Sequence, residues 1–148
     1  MTQQARPVLD LAVQATAAIS YARVVALAVA TVAGAIGGVQ ATVAGQKMIG
    51  VARRDAALGA FTDVTCLGTA VCETGAAVAL GARVQCDALG RVIPATALTI
   101  AAGATAVTSA VANGAGSMSG GDPPVYVWGT ALQSSVGAGE FIEVLICP

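Results

Sequence analysis

The sequence predicts an all-β fold: a small antiparallel β-sandwich or barrel, jelly-roll-like or tulip-like, with a long small-residue loop and an N-terminal arm. Three observations predict it. Hydrophobic residues make up 56% of the 148 positions while aromatics make up 3%, so the apolar content is mostly Ala and Val. Val and Thr favour strands, and the 18 glycines supply turns between them. Finally, short alternating segments recur between Gly and Asp turn signals along most of the chain.

Strands are expected at residues 7–13, 22–30, 47–53, 61–66, 69–73, 82–86, 91–93, 125–132 and 140–146. The clearest hairpin is Ala82-Arg83-Val84-Gln85-Cys86, a turn through Asp87 and Gly90, then Arg91-Val92-Ile93. Residues 1–10 read as an N-terminal arm on a single β-domain spanning 1–148, and the Ala/Thr/Ser/Gly-rich stretch 97–121 as a loop insertion.

The chain also carries an internal echo. Ile49-Gly50-Val51-Ala52 matches Trp128-Gly129-Thr130-Ala131, and Gly59-Ala60-Phe61-Thr62-Asp63-Val64 matches Gly139-Glu140-Phe141-Ile142-Glu143-Val144. Earlier in each half, Ala22-Arg23-Val24 matches Ala82-Arg83-Val84. The offset grows from about 60 to about 80 residues, which places an insertion in the second half, within 97–121. Two related β-units closing on one core suit a barrel or sandwich.

Residues 24–46 carry no charge and are long enough to span a bilayer, with Gly34 and Gly38 at a small-xxx-small spacing, although Gly34, Gly37 and Gly38 would weaken a helix. Against a span, Val25, Leu27 and Val29 alternate with Ala26, Ala28 and Ala30, a period of two. The equally uncharged 92–121 contains Pro94 and Asn113, so low charge is a property of the whole chain.

Charged residues are 10% of the chain, against a usual share of about 25%. Seven basic and eight acidic residues give a net charge of −1, and Arg53-Arg54 is the one adjacent basic pair. That argues against nucleic acid as a partner, since such binding needs a basic patch to displace counterions. Weak charge on an apolar chain favours association with other proteins instead.

Catalytic chemistry finds little to work with. There is no histidine, which removes the usual base near neutral pH and every Ser-His or Cys-His pair. Cys66, Cys72, Cys86 and Cys147 form no Cys-x-x-Cys motif; their even number allows disulfides in three pairings, but Met1 to Pro7 lacks a secretory signal, which favours buried free thiols. Gly114 to Gly120 does not satisfy the phosphate-loop spacing, and Lys47, the sole lysine, follows no Walker pattern. Glu140 and Glu143, three apart on a strand, point to opposite faces and cannot flank one substrate. No catalytic, cofactor or metal site is expected, and no enzyme.

The C-terminal block Val125-Tyr126-Val127-Trp128-Gly129-Thr130-Ala131-Leu132, then Ser134 to Gly139 and Glu140-Phe141-Ile142-Glu143-Val144-Leu145-Ile146, resembles the ending of phage capsid cement (head decoration) proteins. Ile49-Gly50-Val51-Ala52 with Asp55-Ala56-Ala57, and the hairpin from Gly81 to Pro94, are similar to earlier elements of that family. The resemblance implies a structural protein on the outer capsid surface of the virion, assembled in the bacterial host cytoplasm. It would cement major capsid protein subunits against internal DNA pressure and associate with itself as a homodimer or homotrimer, without cofactors, nucleic acid or membrane. Candidate contacts are Gln3, Arg6, Pro7, Val8 and Leu9 in the arm, which would add to a strand edge of the capsid, and Arg53 and Arg54. The other readings are a small membrane protein with one span near 24–46 and a generic β-rich interaction domain.

Overall fold

The computed structural model describes residues 5–96 and 126–147. Gln3 and the stretch 97–121 lie outside them. Among the described residues nine strands form one hydrogen-bonded sheet: β1 (Pro7–Ala15), β2 (Val24–Ala28), β3 (Ile36–Gln40), β4 (Gly50–Ala52), β5 (Phe61–Glu73), β6 (Arg83–Cys86), β7 (Val92–Pro94), β8 (Gly129–Ala131) and β9 (Phe141–Ile146).

The first five strands run in the order β1-β3-β2-β4-β5, and β5 pairs back onto β1, which closes a barrel. An odd number of strands cannot close with every neighbour antiparallel. One parallel pair is forced, and it is β1 with β3, through Val13↔Ile36 to Ala15↔Gly38. The sheet is therefore not purely antiparallel as the sequence led us to expect. The remaining strands continue from the far half of β5 in the order β9-β8-β6-β7, and a parallel bridge Thr74↔Val92 brings β7 back to the end of β5. The second half thus repeats the first around a shared long strand.

The repetition holds bond for bond. Ala52↔Val64 and Val51↔Thr65 between β4 and β5 match Ala131↔Val144 and Thr130↔Leu145 between β8 and β9. Ile19 and Ala56 exchange two backbone bonds of 2.8 Å, as Val78 and Ser135 do at 3.2 and 2.8 Å. Gly59 donates to Ala15 O at 2.7 Å and Gly139 to Thr74 O at 2.8 Å. Both glycines sit at positive φ (82° and 84°), where a side chain would strain the turn. The residue-identity match at Ala22-Arg23-Val24 is off by one, however. Ala22 N–H bonds Ala52 O and Gly81 N–H bonds Ala131 O, so Ala22 corresponds to Gly81 and Val24 to Arg83. In a strand that single step exchanges the two faces.

Each unit fills with small side chains. Val13, Ala15, Ile19, Val25, Ala52 and Val64 pack one core cluster. Their counterparts Cys72, Thr74, Val78, Val84, Ala131 and Val144 are all buried in the second unit. Val24, Val51 and Ala41, although carried by strands of the first unit, belong to the second cluster. Strand β2 is thus covered on both faces, Val25 toward its own barrel and Val24 toward the next.

Two expectations are corrected. Residues 61–66 and 69–73 are one strand, not two: Gly68 (φ 107°) carries β5 on, opposite Pro7 and beside a register shift at Val8, and an added Cβ there would meet Arg6 O and Val8 N. The uncharged 24–46 segment holds the hairpin β2–β3, whose second strand the sequence reading omitted. Among the described residues no helix is long and apolar enough to cross a membrane.

Candidate functional site

Of the predicted contact residues, Pro7, Val8 and Leu9 open β1 and are held by the chain's own β5, with Pro7↔Gly68 and Leu9↔Leu67 paired. A strand already bonded along β5 is not a free arm, so these residues cannot join a capsid strand through that edge while the barrel stays closed. Arg6 is drawn in too: its N–H donates to Thr69 Oγ1 (2.8 Å) and its carbonyl accepts from Thr69 N–H (3.1 Å). What β1 does offer outward is side chains, with Val8 75% exposed.

Arg53 and Arg54 follow β4, and each is committed within the chain. Arg53 Nη1 lies 2.7 Å from Asp10 Oδ2, and Asp10 Oδ1 also accepts from Thr65 Oγ1 at 2.8 Å. Arg54 Nη2 lies 2.6 Å from Asp63 Oδ2. Asp10 therefore gathers Arg53 to the start of β1, and an open cleft of about 210 Å³ there is lined by Ala5, Tyr21, Arg53, Thr65 and Val71 among others. Arg54 instead meets β5 at Asp63 and lies outside that cleft's lining. Exposed ion pairs of this kind contribute at most about 1 kcal/mol each, so a partner's carboxylate could displace either at little cost.

A second, mostly apolar cleft of about 170 Å³ lies against Lys47, Met48, Ile49, Cys66, Trp128 and Ile146. Lys47 Nζ sits 6.0 Å from the Tyr126 ring centre. Trp128 Nε1 is buried there without an acceptor. Among the described residues no cluster of three or more His, Cys, Asp or Glu could hold a metal ion.

All four cysteines are free thiols: Cys72 and Cys86 buried, Cys66 half-buried and Cys147 exposed. Burial pushes the Cys72 thiol far up and is the main cause raising Cys86 and Cys66, with Asp10 adding to the latter. Since the thiolate is the reactive form, Cys147 should be the one thiol to react rapidly with a disulfide reagent at neutral pH. Cys66 should follow slowly, and Cys72 and Cys86 only after unfolding. Rapid reaction of all four would contradict the packing of β5 and β6.

The surface that the sequence reading missed is the outer end of the β2–β3 hairpin. Leu27 is 65% and Val29 92% exposed, with Val32 and Ile36 also open to solvent. The alternation that marked 22–30 as a strand was visible, but not that β2 leaves the barrel wall beyond Ala26.

A closed five-stranded barrel and its repeat on a shared strand define a tandem β-barrel protein without helices among the described residues. No known protein family matches the sequence. No curated protein matches it either. Among solved structures, the crystal structure of the head fiber gp8.5 N base of bacteriophage phi29 is similar, with a TM-score of 0.62 at 16% identity, over 94% of this chain and 93% of that one. At that identity the likeness is one of fold.

Proposed function

We propose that this chain is a structural protein of a phage virion that attaches to the head. The observation carrying this reading is the likeness of fold over nearly the whole of both chains to a phage head fiber base. It is reinforced by the independent resemblance of β8 and β9 to the ends of capsid cement proteins. In the finer form of the proposal the protein sits on the outer capsid surface, binds the major capsid protein and stiffens the shell against internal DNA pressure. It acts without catalysis, cofactor, nucleic acid or membrane, and assembles in the host cytoplasm. The small apolar core, weak net charge and scattered ion pairs suit a rigid adaptor between protein surfaces.

The test is co-sedimentation with capsids of the matching phage that lack the protein. Saturable binding in a fixed ratio, with added density on the shell's outside, is the expected result; no binding would remove the capsid reading. Deleting residues 2–9 is not a clean probe of contact, because it strips the opening of β1 from β5. The substitution Val8→Asp is cleaner, as the side chain faces solvent. It should weaken capsid binding roughly fivefold with little change in melting, as expected for a rim contact of about 1 kcal/mol. Unchanged binding would take β1 out of the interface.

A further inference from the structure

The internal repeat makes a contact inside the molecule whose counterpart, among the described residues, is not made. Within the chain, the turn of hairpin β6–β7 rests on a corner of the first barrel formed by Tyr21–Val24 and Gln40–Ala41. Val24 N–H donates to Gly90 O (2.8 Å), and Leu89 O accepts from Gln40 Nε2 (2.8 Å) and Arg23 Nη1 (3.2 Å). Gly90 lies so close that an added Cβ would meet Gln40 Cγ at 3.0 Å and Val24 O at 3.2 Å.

Both partners of this contact have equivalents elsewhere. Hairpin β2–β3 is the counterpart of β6–β7: Leu27↔Gly38 occupies the place of Cys86↔Val92. The corner's counterpart is Leu80–Arg83 with Pro94 and Ala95, since Ala41 N–H bonds Val24 O as Ala95 N–H bonds Arg83 O. Cys86 is buried where the hairpin is docked, whereas Leu27, its equivalent, is 65% exposed. At that corner Leu80 is 71% exposed. The hairpin segment 24–46 carries no charge, and at the second corner Ala82 and Pro94 stand where Arg23 and Gln40 stand at the first, so the contact it offers is apolar and lacks those two side-chain donors.

We propose that the protein self-associates head to tail, with the β2–β3 hairpin of one subunit seated on the Leu80–Arg83 corner of the next. The contact repeats between chains the docking that already joins the two barrels within one. Such an interface is heterologous: each subunit gives a hairpin and receives another, so the assembly closes into a ring when the rotation allows. A patch of Leu27, Val29, Val32 and Ile36 is the kind of surface that soluble chains seldom leave uncovered. This inference does not rest on capsid binding.

The experiment is sedimentation analysis of the full chain, alone and in mixtures. Wild type should sediment as an oligomer. Val29→Asp, which blocks the hairpin, and Leu80→Asp, which blocks the corner, should each weaken association by roughly thirtyfold or more, the effect of losing a hot spot. Both positions face solvent, so unchanged circular dichroism and melting should accompany the loss. Mixing the two variants should restore one intact interface per pair and yield a dimer of one of each. A monomeric wild type at the highest soluble concentration would overturn the proposal, and so would a mixture that stays monomeric.

Discussion

Gly50→Ala should destabilise the protein by about 3 kcal/mol, Gly129→Ala by about 2 kcal/mol, and Gly137→Ala by less than about 0.5 kcal/mol. The three differ in what a methyl would meet. At Gly50 it would press into Thr65 O on the neighbouring strand β5 and lie 2.6 Å from Val64 Cγ1. At Gly129 the same two neighbours recur in the second unit, Leu145 O and Val144 Cγ1, each at 2.8 Å. Neither obstacle is the free end of a flexible side chain. Backbone carbonyls in a closed barrel move only if strands part, and parting β4 from β5 breaks the wall that holds Val64. Gly137 has open space instead. Urea unfolding of the three variants measures the differences. If Gly50→Ala and Gly137→Ala unfold at the same midpoint, β4 does not approach β5 as described.

The two glycines also show why part of this fold was legible in the sequence. Each stands in a block that repeats, Ile49 to Ala52 and Trp128 to Ala131, and each block lies next to a long alternating strand. Turn chemistry was equally readable at Asp87. Its Oδ1 accepts from Leu89 N–H and Arg91 N–H, both at 2.8 Å, and its Oδ2 meets Arg91 Nε at 2.8 Å. Strand β3 was not legible, because Ile36-Gly37-Gly38-Val39-Gln40 carries two glycines and no clear alternation. The structure explains them: a Cβ at Gly37 would strike Ala28 O, and one at Gly38 would strike Val13 and lie 2.8 Å from Val25 Cγ1. Glycine here is the residue that lets three strands converge, yet local propensity counts it against a strand.

For the candidate contacts, the sequence named the right residue types but could not see their commitments. Arg53 and Asp10 are far apart in the chain, so nothing local reveals that they pair. The closure of β1 onto β5 is a long-range event of the same kind, and it turns residues expected in an arm into barrel wall. Conversely, the exposure of Leu27 and Val29 depends on where β2 leaves the barrel, which no periodicity records.

The junction between the barrels yields the other large effect. Arg23→Ala should cost about 3 kcal/mol, and Glu73→Ala a similar amount, because each strands a partner that solvent barely reaches. Arg23 Nη2 and Glu73 Oε2 are 2.6 Å apart, with their side chains 17% and 19% exposed. Arg23 also reaches Leu89 O through Nη1, and Glu73 N–H bonds Ala22 O at 3.1 Å, so the pair fastens both units at one point. The repeat makes the site informative, since Ala82 stands in the second unit where Arg23 stands in the first. The charge therefore belongs to the junction, not to the barrel. Truncating both partners together should cost clearly less than the two single losses combined, because no orphaned charge remains. Arg23→Met with Glu73→Leu, which keeps volume while removing both charges, should restore stability to within about 1.5 kcal/mol of wild type. A double-mutant cycle by urea unfolding decides it: strictly additive losses would mean that Arg23 and Glu73 do not act on each other, and that backbone bonds and apolar packing alone hold the two barrels in register.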